Sequence, residues 1–121
     1  MAEYLPLHDD GDSFTRVASA SITGGQLVRV SGSNTVAPVS AASADWLGVA
    51  AFDANSGDNV TIYCGGVQRP VASGAVTAGD VLVGAASGQV TTNAAPGAGQ
   101  QVAIALTTVA SGATVEAKFV R

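Results

Sequence analysis

The chain has 121 residues, 47% hydrophobic but only 5% aromatic, with nine acids against five Lys plus Arg for a formal net charge of −4. That length fits one domain, whose core must be built from Val, Ala, Leu and Ile. The basic residues Arg16, Arg29, Arg69, Lys118 and Arg121 are scattered, which argues against nucleic acid as a direct partner because phosphate binding needs a basic stripe.

One cysteine, Cys64, excludes an internal disulfide, and one Cys with one His excludes a tetrahedral zinc site made from those ligands. The N-terminus lacks the basic and apolar regions of a signal peptide, and no run approaches about 18 apolar residues. The sequence therefore predicts a soluble protein made in a cytoplasm, with no membrane partner.

Residues 1–17, MAEYLPLHDDGDSFTRV, differ from the rest: they hold Tyr4, Phe14, His8 and four of the nine acids, Glu3, Asp9, Asp10 and Asp12. Tyr4-Leu5-Pro6-Leu7 is short and apolar, and Pro6 biases Leu5 toward extended geometry. Asp9-Asp10-Gly11-Asp12 then breaks into a polar loop. An apolar tag on a polar leash has the form of a docking arm; the plainer reading is a frayed terminus or an edge strand on its own domain.

Beyond residue 17 a glycine phrase recurs. Gly25-Gln26-Leu27-Val28, Gly57-Asp58-Asn59-Val60, Gly79-Asp80-Val81-Leu82 and Gly112-Ala113-Thr114-Val115 each follow a small-residue loop and precede an apolar or alternating run. Glycine reaches positive φ without a Cβ clash, and Asp beside it can bond nearby backbone N–H groups. Gly25 and Gly79 are 54 residues apart, and Gly57 and Gly112 are 55 apart. Flanking residues match as well, so the sequence predicts an internal duplication over about 18–64 and 72–119.

Residues 18–39 read as two strands: Ala20–Thr23 leads into the Gly24-Gly25 turn, and Leu27–Val30 and Thr35–Ala37 follow. Further strands are expected at Trp46–Phe52, Val60–Cys64, Val67–Arg69, Val81–Val83, Val90–Thr92, Val102–Leu106 and Val115–Phe119, with Val71–Ala75 running to the Gly79-Asp80 turn. Pro38 and Pro70 stop ladders by removing an N–H. Residues 40–45 read as a helical turn or a loop, and Asn93–Gln100 as a loop. No segment has a capped 3.6-residue period, so the fold class is all-β; many short strands imply a small barrel or sandwich, and two pseudo-repeated halves suggest a pseudo-two-fold barrel with an extended N-terminal arm.

The sequence offers no active site, no cofactor site and no metal site. His8 with Asp9, Asp10 and Asp12 fails the calcium-loop pattern and reads as a solvated turn. A Ser-His-Asp site would have to use His8, and no G-x-S-x-G elbow exists. Cys64 reads as a buried free thiol. Gly97-Ala98-Gly99 lacks the third glycine of a dinucleotide loop. Trp46 and Phe52 are core or interface aromatics. Trp46, Tyr63 and Phe52 together would be the platform if the chain were instead a carbohydrate- or surface-binding module.

Met1-Ala2-Glu3-Tyr4-Leu5-Pro6-Leu7, the Ile22-Thr23-Gly24-Gly25-Gln26-Leu27-Val28 phrase, Gly48-Val49-Ala50, Gly57-Asp58 with Val60-Thr61-Ile62, Gly66-Val67 and Ala78-Gly79-Asp80 with Leu82 occur in an order that resembles the small capsid decoration (head-stabilising) proteins of tailed phages, particularly of actinobacteriophages. The resemblance covers nearly the whole chain. It implies a β-barrel of the β-tulip kind and a homotrimer on the outer capsid surface, with the major capsid protein as partner. The arm residues Glu3, Tyr4, Leu5, Pro6 and Leu7 would dock on the shell, and the role is structural, not enzymatic. His8-Asp9-Asp10 departs from the more apolar or basic residues expected after Leu7.

Overall fold

The computed structural model describes residues 13–121. Ten strands run in chain order: β1 Ser13–Ala18, β2 Leu27–Gly32, β3 Thr35–Pro38, β4 Trp46–Ala50, β5 Asn59–Tyr63, β6 Val67–Gln68, β7 Val81–Gly84, β8 Val90–Thr92, β9 Ala103–Ala105 and β10 Ala117–Phe119. Helical geometry among the described residues is confined to a three-residue 3-10 turn at Ala86–Gly88. The fold is all-β. Strands β1 to β5 close into a barrel in the order β1-β3-β2-β4-β5, and β6 to β10 form a second sheet in the order β6-β10-β9-β7-β8.

Several expected strands are shorter in the structure. In the segments that lead into the Gly25 and Gly79 turns, Ile22, Val71, Ala72 and Val76 each make one isolated bridge, to Ala54, Thr114, Val90 and Val109. Residues 40–45 form bends and a turn. β1 takes residues 13–17, which the sequence reading grouped with the leader, into the barrel. Its register against β5 runs from Ser13 opposite Tyr63 to Val17 opposite Asn59, and Phe14 packs on the barrel core. The remaining leader, including the expected arm, lies outside the described residues. The barrel is closed by the first half alone, not by one copy of a unit pairing with the other around a two-fold.

Two cores explain the hydrophobic pattern. The barrel interior holds Ala18, Ile22, Val28, Val36, Ala50, Ala54, Val60 and Ile62. The other cluster spans both halves: Leu27, Val39, Trp46 and Val49 from the first pack with Val76, Leu82, Val90, Val102, Val115 and Phe119 of the second, among others. Strands β2 and β4 are thus covered on both faces, which is why Leu27 and Val28 are both fully buried and why Trp46–Ala50 is apolar throughout instead of alternating. A bulge in β4, where Val28 and Arg29 face Gly48 and Trp46, lets Trp46 and Val49 point to the same side.

The glycine phrase marks one recurring turn. Gly25, Gly57, Gly79 and Gly112 have φ of 92°, 94°, 94° and 87°. The N–H of the next residue closes each turn onto a carbonyl three residues back: Gln26 to Thr23, Asp58 to Asn55, Asp80 to Thr77 and Ala113 to Ala110. In the first three, the same residue's side chain also accepts the N–H of Thr23, Asn55 or Thr77. The glycine N–H reaches across the half: Gly25 to the Ala50 carbonyl and Gly79 to Ala105, Gly57 to Ala18 and Gly112 to Ala72. A further copy, which the sequence reading missed, closes on Gln100. Its N–H bonds Gly97 O, its Oε1 accepts the Gly97 N–H, and Gly99 has φ 74°.

A Cβ at Gly25 or Gly79 would meet nothing within 4 Å, so the cost of a side chain there is backbone strain alone. Gly25→Val and Gly79→Val are expected to destabilise by comparable amounts, about 1–3 kcal/mol each, in equilibrium urea denaturation. One neutral and one severe variant would show that the two turns are not equivalent. Trp46→Ala is expected to cost about 3–5 kcal/mol and to leave one cooperative transition, since the residue joins the halves; separate transitions for the two halves would contradict that.

Candidate docking surfaces

The expected arm residues Glu3, Tyr4, Leu5, Pro6 and Leu7, and His8 with its neighbouring acids, lie outside the described residues. What the structure shows is the place from which they depart. Ser13 begins β1 at the rim of the barrel, and beside it opens a cavity of about 330 Å³ lined by Phe14, Arg16, Val30, Gly32, Asn34, Thr35, Val36 and Leu47. Phe14, Val36 and Leu47 are also in contact with the barrel core, so this cavity is the open mouth of the barrel. Val30 on its wall is 43% exposed. The Arg16 guanidinium lies 5.2 Å from the Phe14 ring centroid, covering part of that face with a cation.

The aromatics of the sequence reading separate. Trp46 is buried. Its ring meets Phe119 edge-on at 5.9 Å between centroids, and its Nε1 donates to Gly99 O at 3.1 Å. Arg121 covers the ring with its guanidinium 4.3 Å from the centroid while donating to the carbonyls of Ala44 and Trp46. Phe52 and Tyr63 are about half exposed. A stacking platform of Trp46, Tyr63 and Phe52 therefore lacks its Trp, which is committed to the junction between the halves. The Arg121 clip was missed from sequence because nothing in a lone basic residue signals an aromatic partner 75 positions away.

Charge is sparse on the described surface. Arg29 grips Asp45 through two bonds, Nε to Oδ1 at 3.1 Å and Nη2 to Oδ2 at 2.7 Å, and Ser43 Oγ also donates to Asp45. Burial pushes the Cys64 thiol up from its ordinary pKa, which disfavours the reactive thiolate. Among the described residues no three of His, Cys, Asp and Glu gather into a metal-binding group.

Comparisons with known proteins place this geometry. A family model described as phage cement protein matches residues 8–120. The chain is similar in fold to the crystal structure of the head fiber gp8.5 N base of bacteriophage phi29, with a TM-score of 0.67 and 21% identity over 88% of this chain and 92% of that one. No curated protein sequence matches the chain.

The Arg29–Asp45 pair gives a pH prediction. Hydrogen bonds from Arg29 and then Ser43 hold the Asp45 carboxyl below its ordinary range. A depressed folded-state pKa stabilises above the unfolded-state pKa, and that contribution is lost as pH falls through the folded value. Both side chains are over a third exposed, so the effect is small. The stability difference between wild type and Asp45→Asn, read from urea midpoints, is expected to shrink on going from neutral pH to about pH 3; a difference that stays constant would mean that the pair contributes nothing.

Proposed function

The chain belongs to the phage cement protein family, as a capsid-associated structural protein of a bacteriophage, and we propose that it coats the outer capsid surface as a homotrimer and stabilises the shell against the pressure of packaged DNA. Membership over residues 8–120 carries this reading. The described body supports it: a weakly charged barrel and sheet joined through one core, suited to act as spacer and clamp.

The partners in this reading are the major capsid protein and two further copies of the chain. The arm, Glu3, Tyr4, Leu5, Pro6 and Leu7, adds a strand to an exposed edge of the shell, with main-chain bonds giving affinity and alternate side chains giving choice. Three arms on one trimer turn weak single contacts into strong collective ones.

The halves 18–64 and 72–119 are, in the same reading, copies of one unit. Support comes from the strand order. Taking β6 to β10 as counterparts of β1 to β5, the second sheet has the cyclic order of the first, opened between β6 and β8. The parallel pair Ala18 with Val36 in the barrel has a lone parallel counterpart in Ala72 with Val90.

Deletion of residues 2–7 is expected to abolish co-sedimentation with expanded empty shells while light scattering still reports the oligomer of the intact protein. A truncated chain that coats shells to full occupancy would remove the arm from the mechanism.

A further inference from the structure

The outer face of the second sheet repeats a surface that the first half buries. In the barrel, one row of cross-strand partners runs Ser13, Tyr63, Val49, Leu27 over β1, β5, β4 and β2. In the second sheet the row Val67, Lys118, Ile104, Val81 runs over β6, β10, β9 and β7. The glycine turns fix the correspondence between the rows. Leu27 and Val81 each stand two residues after a turn glycine, Gly25 or Gly79. Val49 and Ile104 each stand one residue before the alanine, Ala50 or Ala105, whose carbonyl accepts that glycine's N–H.

The two rows differ in what covers them. Leu27 and Val49 are 0% and 4% exposed, and both belong to the core that the halves share, so the second half covers this end of the first row. Val81 and Ile104 are only half-buried, and neither joins either core cluster. On β9, Ala103 and Ala105 are buried in the shared core, so side-chain alternation turns Ile104 and Leu106 to the outside. Leu106 is 49% exposed, and Val67 at the far end of the row is 53% exposed. The second sheet thus carries an aliphatic outer face at the position where the first half packs against its neighbour.

We propose that this face, Val67, Ile104, Val81 and Leu106 around Lys118, seats the first half of a second copy of the chain, just as the first half's own row seats the second half within one chain. The inference deepens the homotrimer reading and rests on it for closure. A contact between two different surfaces repeats head to tail from copy to copy, and it makes a ring where the rotation closes.

The internal junction selects this occupant, because it shows the same row position already buried by the half that follows in sequence; beyond the second half, the next half is the first half of another chain. Charge agrees. The row's own charge is Lys118, and two such faces laid on each other would oppose lysine to lysine. The described first half carries Asp45, Asp53 and Asp58 against Arg16 and Arg29, so it is the better match. The departures between the rows set the strength of the contact. Val39, whose N–H donates to Leu27 O, has its counterpart in Asn93, whose N–H donates to Val81 O. Trp46 stands three residues before Val49, and Gln101 stands three before Ile104. Two apolar anchors of the internal junction are therefore amides on the second face. The contact between copies is more polar than the junction within a chain, as interfaces between separable partners are relative to a core.

Sedimentation velocity with light scattering on the full-length protein, without shells, tests the seat. At about 100 µM, where even a micromolar contact is filled, the intact protein is expected to form a species of more than two copies. Ile104→Lys is expected to weaken that association by about tenfold or more while its urea midpoint reports a folded chain. Should Ile104→Lys fail to fold, Leu106→Lys decides, since that side chain already faces outward. An intact protein that stays monomeric, or a folded variant that assembles as the intact protein does, would overturn the proposal. An assembly that stops at two copies would mark a face paired with itself and would overturn the head-to-tail packing. A folded variant that keeps its oligomer but no longer co-sediments with shells would assign the face to the shell, which overturns this inference and leaves the decoration reading standing.

Discussion

Everything in the described structure depends on one face shared by the two halves. The first five strands close on themselves and bury their own interior. The second five form an open sheet, and an open sheet this small cannot cover its apolar side unaided. It is covered by the outside of the barrel, where Leu27, Val39, Trp46 and Val49 pack into the second core. Trp46 is the largest of these and the most constrained: its indole N–H to Gly99 O, its edge-on contact with Phe119 and the guanidinium of Arg121 over its ring all tie this one first-half side chain to the second half. In a chain with so few aromatics, the one Trp is placed where a single side chain can contribute most area to the junction.

That arrangement explains what the sequence made legible and what it hid. All-β architecture was readable because strand-length apolar runs are punctuated by glycine turns, and the turn glycines adopt the positive φ that their phrase suggested. Trp46–Ala50 was recognisable as buried because it is apolar on both faces, and the structure gives the cause, a core on each side of β4. Strand lengths were over-read at Val102–Leu106 and Val115–Phe119, which pair only over Ala103–Ala105 and Ala117–Phe119. Val102 and Val115 are buried apolar positions in good local pattern, but burial alone does not make a ladder. The closure of the barrel within the first half was not readable, because it turns on a two-pair parallel seam between β1 and β3 that leaves no periodic signal.

The candidate site was legible in a different way. The leader stood out by composition, as an apolar tag among acids, yet its boundary could not be found from composition. Ser13–Val17 holds Phe14 and Arg16 on alternate positions, and only the pairing with β5 shows that this alternation belongs to the barrel. The mouth lined by Phe14, Val30, Val36 and Leu47 has contributors from four strands, spread over more than thirty positions of sequence. A surface assembled by barrel closure leaves no motif. Trp46 shows the reverse error: an aromatic that a sequence reader can offer to a ligand is consumed by the fold.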